Sequence, residues 1–381
     1  MAADLDRRIG FARWRSDLPS GGNRYDDELA AGLRALGWDL REYDVSGSWP
    51  LPDDHDRQHL VELLGLEQRW LMGNIIAAAV PEVITAATAA GRHVVVMLHY
   101  FPADDPSIPP ADRRQLAVSD AAAVRAASTV LVTSSWAARQ VAARYGRQDA
   151  VVAVPGVVPA PLAPGTAGPG RSPVMLWLAR LTPTKYPLTF VDALAQLQDL
   201  DWTARLVGPD TVDEVLSRRV AERITDAGMD GRVTLMGSRE GVALESVWAG
   251  TDLLVHTSRH ETYGMVVSEA LARGIASVVV SGTGAVEAQA GAGAAFPAGD
   301  AEALAEILRD WLTNERTRQR WRHDALKRRA HLPTWDDTAQ MVSSVLSPPL
   351  LLGRQHRQHP SLDELDDRVG DQGDQGDDHH R

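Results

Sequence analysis

The 381-residue chain contains no cysteine, which removes disulfides, thiolate nucleophiles and Cys-ligated metals together. It has no run of about 18 apolar residues, the length a membrane-spanning helix needs. The nearest candidate, residues 75–90, is broken by Pro81 and Glu82, so no integral membrane association is expected. The first ten residues lack an apolar core and carry acidic groups, which speaks against a secretory leader and for a cytoplasmic protein. Excess positive charge is missing as well: 39 basic residues face 51 acidic ones, a net of −12. A duplex-binding surface usually has the opposite sign, so nucleic acid is not an expected partner. Lysine is nearly absent. Lys185 and Lys327 are the only two, every other cation being arginine.

Several catalytic signatures are missing. GxxxxGK[ST], GxSxG and HExxH do not occur. GxGxxG fails at its last glycine in Gly282-Thr-Gly284-Ala-Val-Glu287 and in two other places, and His260-Glu261 lacks the second histidine, Gly264 standing there. The His379-His380 pair beside Asp377-Asp378 reads as solvated tail, and no metal site or cofactor is expected.

What the chain does contain is alternation. Apolar runs predict strands at 9–12, 38–43, 93–98, 129–132 and 151–154, with helices at 25–36 and 135–145. Residues 154–173, crowded with Pro and Gly, interrupt the pattern. It then resumes with strands at 174–178, 204–207, 233–236, 253–256 and 277–280. Helices are expected at 187–197, 211–227, 265–273, 301–312, 316–329 and 335–346. Strand–helix alternation implies right-handed βαβ units and parallel sheets. The expected organisation is an N-terminal α/β domain over 1–160 and a linker over 161–172. A second α/β domain over 173–333 follows, then a helix over 334–347 packing back toward the first domain and a disordered tail over 348–381. Ligands bind such sheets at the carboxyl ends of their strands.

Two segments carry chemistry. In the first, Glu261-Thr262-Tyr263-Gly264-Met265 leads from a buried strand into a helix whose unpaired amides suit a phosphate. Glu261 and Glu269, eight residues apart, span at most about 12 Å on a helix. That suits sugar hydroxyls at Glu261 and ribose hydroxyls at Glu269. In the second, Arg180 and Lys185 share a loop after the first strand of the second domain and could clamp a diphosphate. Taken singly, each has a plainer reading: a helix cap, a solvated carboxylate, surface charge.

Together these residues resemble the signature of the family 4 retaining glycosyltransferases of the GT-B fold, two Rossmann-like α/β domains with parallel sheets facing a central cleft. Gly208 of Leu-Val-Gly-Pro, Gly237-Ser238 and the Gly284-to-Glu287 turn match that family, and Ser20-Gly21-Gly22-Asn23 and Leu98-His99-Tyr100 match it more loosely. The likeness runs over about residues 8–346. It implies a bacterial-type transferase that moves a hexose-type sugar, with retention and without a metal, from a UDP- or GDP-linked donor to a hydroxyl of a small soluble acceptor. Arg180 and Lys185 would steady the leaving diphosphate, His99 and Glu261 would meet the sugar, and Gly21, Gly22, Gly208, Gly237, Ser238, Thr262, Tyr263, Gly264, Met265 and Glu269 would hold the donor. No carboxylate stands out as a glycosyl nucleophile. The family usually has Lys-Gly where this chain has Lys185-Tyr186, and Gly-x-Pro-Val where it has Gly274-Ile-Ala276-Ser277. The same fold would also suit a sugar-nucleotide-binding protein without turnover, or a sugar-nucleotide epimerase. Acceptor contacts are expected from loops at 23–24 and 101–114.

Overall fold

The computed structural model describes residues 7–14, 20–166 and 170–346; the proposed tail lies outside them. Two parallel six-stranded sheets organise these residues. The first contains β1 (Arg8–Arg13), β2 (Asp39–Asp44), β3 (Arg69–Gly73), β4 (His93–Leu98), β5 (Thr129–Val132) and β6 (Val151–Val152), in the order β2-β1-β3-β4-β5-β6. The second contains β7 (Val174–Leu178), β8 (Thr203–Val207), β9 (Val233–Leu235), β10 (Leu253–His256), β11 (Ala276–Val280) and β12 (Gly293–Phe296), in the order β12-β11-β10-β7-β8-β9. All ten strand pairings are parallel. The central strands β4 and β11 are apolar almost throughout because helices cover both faces.

The structure adds elements that the pattern did not announce. Strand β3 is short, and helix Pro110–Ala126 buries Leu116 and Val124 but also Asp120 among alanines, so it presents no clear apolar stripe. Helix Gly21–Ala35 begins four residues before the expected start, since the Ser20 side chain accepts a hydrogen bond from the Asn23 amide and caps it. The paired glycines therefore sit in a helical first turn rather than in a free loop.

Residues 154–166 have neither helix nor strand, yet they are tied down. Ala163 N donates to Arg273 O, and Arg322 and Arg329 donate to the carbonyls of Ala163 and Ala160. The last helix, Trp335–Leu346, lies on the first sheet, where Trp335, Ala339, Val342 and Leu346 join Ile9, Phe11, Tyr25 and Leu29 in one core. Each large apolar side chain so buried contributes on the order of 1.5–3 kcal/mol. Thr338 Oγ1 donates to Val154 O, and Trp38 Nε1 to Ser343 Oγ, fixing its register.

Candidate active site

A cavity of about 600 Å³ opens where the strands of both sheets end, its walls coming from the segments after β1, β3, β4, β5, β7 and β10. This is where an open α/β sheet presents loops and helix N-termini to a ligand. Ten of the residues expected to serve the site line it: Gly21, Gly22, His99, Arg180, Lys185, Glu261, Thr262, Tyr263, Gly264 and Met265.

At its centre stands Glu261. Lys185 Nζ donates to its Oε2 at 3.0 Å, and His256 Nε2, at the end of β10, lies 3.2 Å from the same oxygen. Burial works against the charged carboxylate, but Lys185 and then His256 outweigh it and hold the carboxyl well below the ordinary range. Lys185 is thus engaged by Glu261 while it lines the same cavity as Arg180. Arg180 is different: among the described residues no hydrogen bond or ion pair holds its guanidinium. Burial lowers its pKa, with Asp105 and Glu261 acting in the opposite direction. Five N–H donors therefore remain for a ligand. Tyr186, where the family usually has glycine, sits at φ 50, in the left-handed region. Glycine occupies that region at least cost, which explains the family's preference.

From the other wall, His99 Nε2 lies 3.2 Å from Asp26 Oδ1, and the ring packs edge-on against Tyr25. The His99 amide donates to Asn74 Oδ1, and Asn74 Nδ2 donates in turn to Asp120, which also accepts from the Tyr145 hydroxyl. Burial pushes the Asp120 carboxyl up to about 6. A polar network with no exposed member beneath it thus sets the height of His99. Three further carboxylates, Asp26, Asp104 and Asp105, line the cavity. Each is already engaged. Asp26 meets His99, Asp104 accepts from Arg144 at 2.7 Å, and Asp105 accepts from Ser107.

The two halves interlock around the loop that carries Glu261. Thr262 Oγ1 donates to His99 O, and Ser134 Oγ donates to Thr262 O. Glu287 accepts from the Ser135 and Trp136 amides at 2.9 and 3.0 Å. It therefore caps helix Ser135–Tyr145 of the first half.

Four expected donor contacts do not line the cavity: Gly208, Gly237, Ser238 and Glu269. Gly208, at φ 145, lies so close to the preceding loop that a Cβ would sit 1.8 Å from Ala179 O. Its glycine is required by that crossing, which places Arg180. Gly237 O accepts from the Gly208 amide, and Ser238 is exposed. Glu269 is paired with Arg24 of the first half; burial raises its pKa while Arg24 and Arg273 lower it. Sequence reasoning missed Asp26, His256 and Asn74, and it placed Arg24 on an acceptor loop, whereas Arg24 lies in the first turn of helix Gly21–Ala35 and pairs with Glu269. His256 carried a signal as the polar end of a buried strand, and Asp26 as the acid following Ser-Gly-Gly-Asn.

Residues 164–328 match the family described as Glycosyl transferases group 1. A D-inositol 3-phosphate glycosyltransferase of Corynebacterium efficiens is 26% identical over 189 residues, 47% of this chain and 43% of that protein. A mannosylfructose-phosphate synthase of Agrobacterium fabrum is 31% identical over 112 residues, 28% of this chain and 25% of that protein. The matched stretch thus spans less than half of these curated relatives. Among solved structures, Anabaena Alr3699/HepE in complex with UDP and glucose aligns at a TM-score of 0.69 and 20% identity, covering 90% of this chain and 99% of that one. A sucrose-phosphate synthase from Thermosynechococcus elongatus aligns at 0.74 and 18%, covering 89% and 98%. These likenesses establish the two-sheet fold, which is that of the GT-B glycosyltransferases.

Proposed function

The chain carries a group 1 glycosyltransferase domain across residues 164–328, and on that premise we propose that it transfers a hexose-type sugar, with retention, from a nucleotide-diphosphate donor to a small-molecule hydroxyl. The observation that carries this reading is the meeting of Arg180, Glu261 and His99 in one cavity at the strand ends of both sheets. Arg180, with no protein acceptor among the described residues, stands ready for the diphosphate, and the amides at the start of helix Met265–Ala272 add a positive field. Glu261, kept ionised by Lys185 and His256, accepts from sugar hydroxyls through the oxygen that Lys185 leaves free.

In the step so assigned, the anomeric C–O bond to the diphosphate breaks as the acceptor oxygen attacks from the same face. The acceptor proton passes to a phosphate oxygen of the leaving group, so nucleoside diphosphate and glycoside are the products. His99, oriented by Asp26 and Asn74, meets the sugar as positive charge develops on it. Arg180 supplies positive charge that other transferases take from a metal ion. The Anabaena neighbour was solved with UDP and glucose, which favours UDP-linked hexoses as first donors to try.

The test is product analysis. The protein is incubated with UDP-glucose or GDP-mannose and candidate acceptors, with and without EDTA, and the anomeric protons are followed by NMR. A glycoside with the donor's anomeric configuration, formed equally with EDTA, is expected. An inverted product would refute retention, an isomerised free sugar nucleotide would identify an epimerase, and unchanged donor that nonetheless binds would identify a binding protein.

A further inference from the structure

The first-half wall of the cavity has a chemistry of its own. Trp14, Trp49, Ile75, Ile76, Phe101 and Trp136 all line it, and all six belong to one packed apolar cluster. They come from separate stretches of chain, after β1, before β3, after β3, after β4 and at the start of helix Ser135–Tyr145, so the surface is assembled by the fold rather than by a single loop. Trp49, Ile76 and Phe101 are buried beneath it; Trp14, Ile75 and Trp136 are only half-buried and present it to the cavity. Phe101 supports Trp136 edge-on at 6.2 Å, and Trp49 is held by its indole N–H on Ser46 O.

The charged side chains on this wall are Asp26, Asp104 and Asp105, and among the described residues no lysine or arginine of the first half joins them. An acceptor must bind against this wall if the donor occupies Arg180 and Glu261. An acceptor phosphate there would meet carboxylates, of which Asp104 is already paired with Arg144, and indole faces, and among the described residues no lysine or arginine of the first half lines the wall to replace its hydration. A flat apolar ring would find the reverse, since indole faces favour stacked or edge-on rings. Resting on the glycosyltransferase reading above, we propose that the acceptor is an uncharged hydroxyl compound with an aromatic or fused-ring face, seated against Trp14, Ile75 and Trp136, and not a sugar phosphate.

The test uses the full chain and the donor, UDP-glucose or GDP-mannose, that raises its melting temperature. Release of nucleoside diphosphate is followed with 4-methylumbelliferone or 2-naphthol as aryl acceptors, and with fructose 6-phosphate or inositol 3-phosphate as phosphorylated ones. The aryl acceptors should speed release at least about tenfold over the acceptor-free rate, and Trp136→Ala should raise their KM by a similar factor with donor affinity unchanged. Should Trp136→Ala fail to fold, quenching of intrinsic tryptophan fluorescence by 2-naphthol in the unaltered protein gives the binding readout. Acceleration by a sugar phosphate and not by the aryl compounds would overturn the acceptor assignment and leave the transferase reading standing. Donor binding without acceleration or quenching by any aryl compound would overturn it too. Failure of every nucleotide sugar to bind would overturn the transferase reading itself, and the acceptor assignment with it.

Discussion

Replacing Lys185 by methionine tests the cluster around Glu261. Lys185 Nζ and Glu261 Oε2 are 3.0 Å apart, with 22% and 16% of the two side chains exposed. At that distance and an effective dielectric of about 20, their gross attraction is roughly 5–6 kcal/mol. Much of this is offset by the cost of taking both charges out of water. Lys185→Met keeps the length and apolar stem but leaves the carboxylate opposed to burial with only His256 as partner. Breaking a buried pair costs about 3–5 kcal/mol; the partial exposure of Lys185 lets water in, so a loss of about 2–4 kcal/mol at pH 7 is expected. At this chain length that corresponds to a fall in Tm of about 3–6 °C. The pH dependence has a definite sign. The Glu261 carboxyl is depressed in the folded state, so its stabilisation is present above the unfolded carboxylate range and is lost as pH falls below it. The gap between variant and parent should therefore narrow on acidification. The double variant Lys185→Met/Glu261→Gln, which removes the stranded charge, should regain most of the loss. Melting followed by circular dichroism at neutral and acidic pH measures all three. An unchanged Tm for Lys185→Met, or a double variant no better than the single one, would refute the reasoning.

Gly208→Ala should cost roughly 2–4 kcal/mol, because its Cβ would lie 1.8 Å from Ala179 O and the loop must shift; a Tm within error of the parent would contradict this. Glu287→Ala removes the acceptor for the Ser135 and Trp136 amides and should lower stability by about 1 kcal/mol, as loss of a helix cap does; urea denaturation reads it. Asp120 is raised from 3.8 to about 6 in the folded protein, so its carboxyl favours the fold below the unfolded value and that advantage is lost as pH rises through about 6. Asp120→Asn should flatten the stability profile by roughly 2–3 kcal/mol across that window, and titration of Tm against pH would show the slope persisting if Asp120 is not its source.

Much of the architecture could be read from residue order. Strands 93–98, 129–132, 174–178 and 253–256 and helices 135–145 and 335–346 coincide with the observed elements, because continuous apolar runs and turn signals coincide there. The elements between β2 and β4 were not legible: β3 (Arg-Trp-Leu-Met-Gly) has only three apolar residues in a row, helix Asp54–Leu63 buries only Leu60, and helix Pro81–Ala89 is alanine-rich; after β4, the helix over Pro110–Ala126 carries a buried Asp120 in place of a clear apolar stripe. At the site, the loops holding Arg180 and Glu261 were legible because charge stands immediately after apolar strands. The partners were not. That Lys185 answers Glu261, that Arg24 answers Glu269 and that Glu287 caps a helix of the opposite half are facts of tertiary approach, across separations of 76, 245 and about 150 residues. Gly208 and Gly237 matched a motif, but here they position backbone rather than line the cavity.

The pairing of Lys185 with Glu261 makes Arg180 the cleaner probe of the donor site, since no hydrogen bond or ion pair among the described residues depends on its guanidinium. The decisive measurement is isothermal titration of UDP-glucose and GDP-mannose into the unaltered protein and into Arg180→Ala. Binding of one of them, weakened at least about tenfold in a variant of unchanged Tm, is the predicted result, as loss of a charge-assisted contact to phosphate should cost about 1.5–3 kcal/mol. Equal affinity in both proteins, or no binding of either nucleotide sugar to the unaltered one, would contradict the assignment of this cavity to a nucleotide-sugar donor.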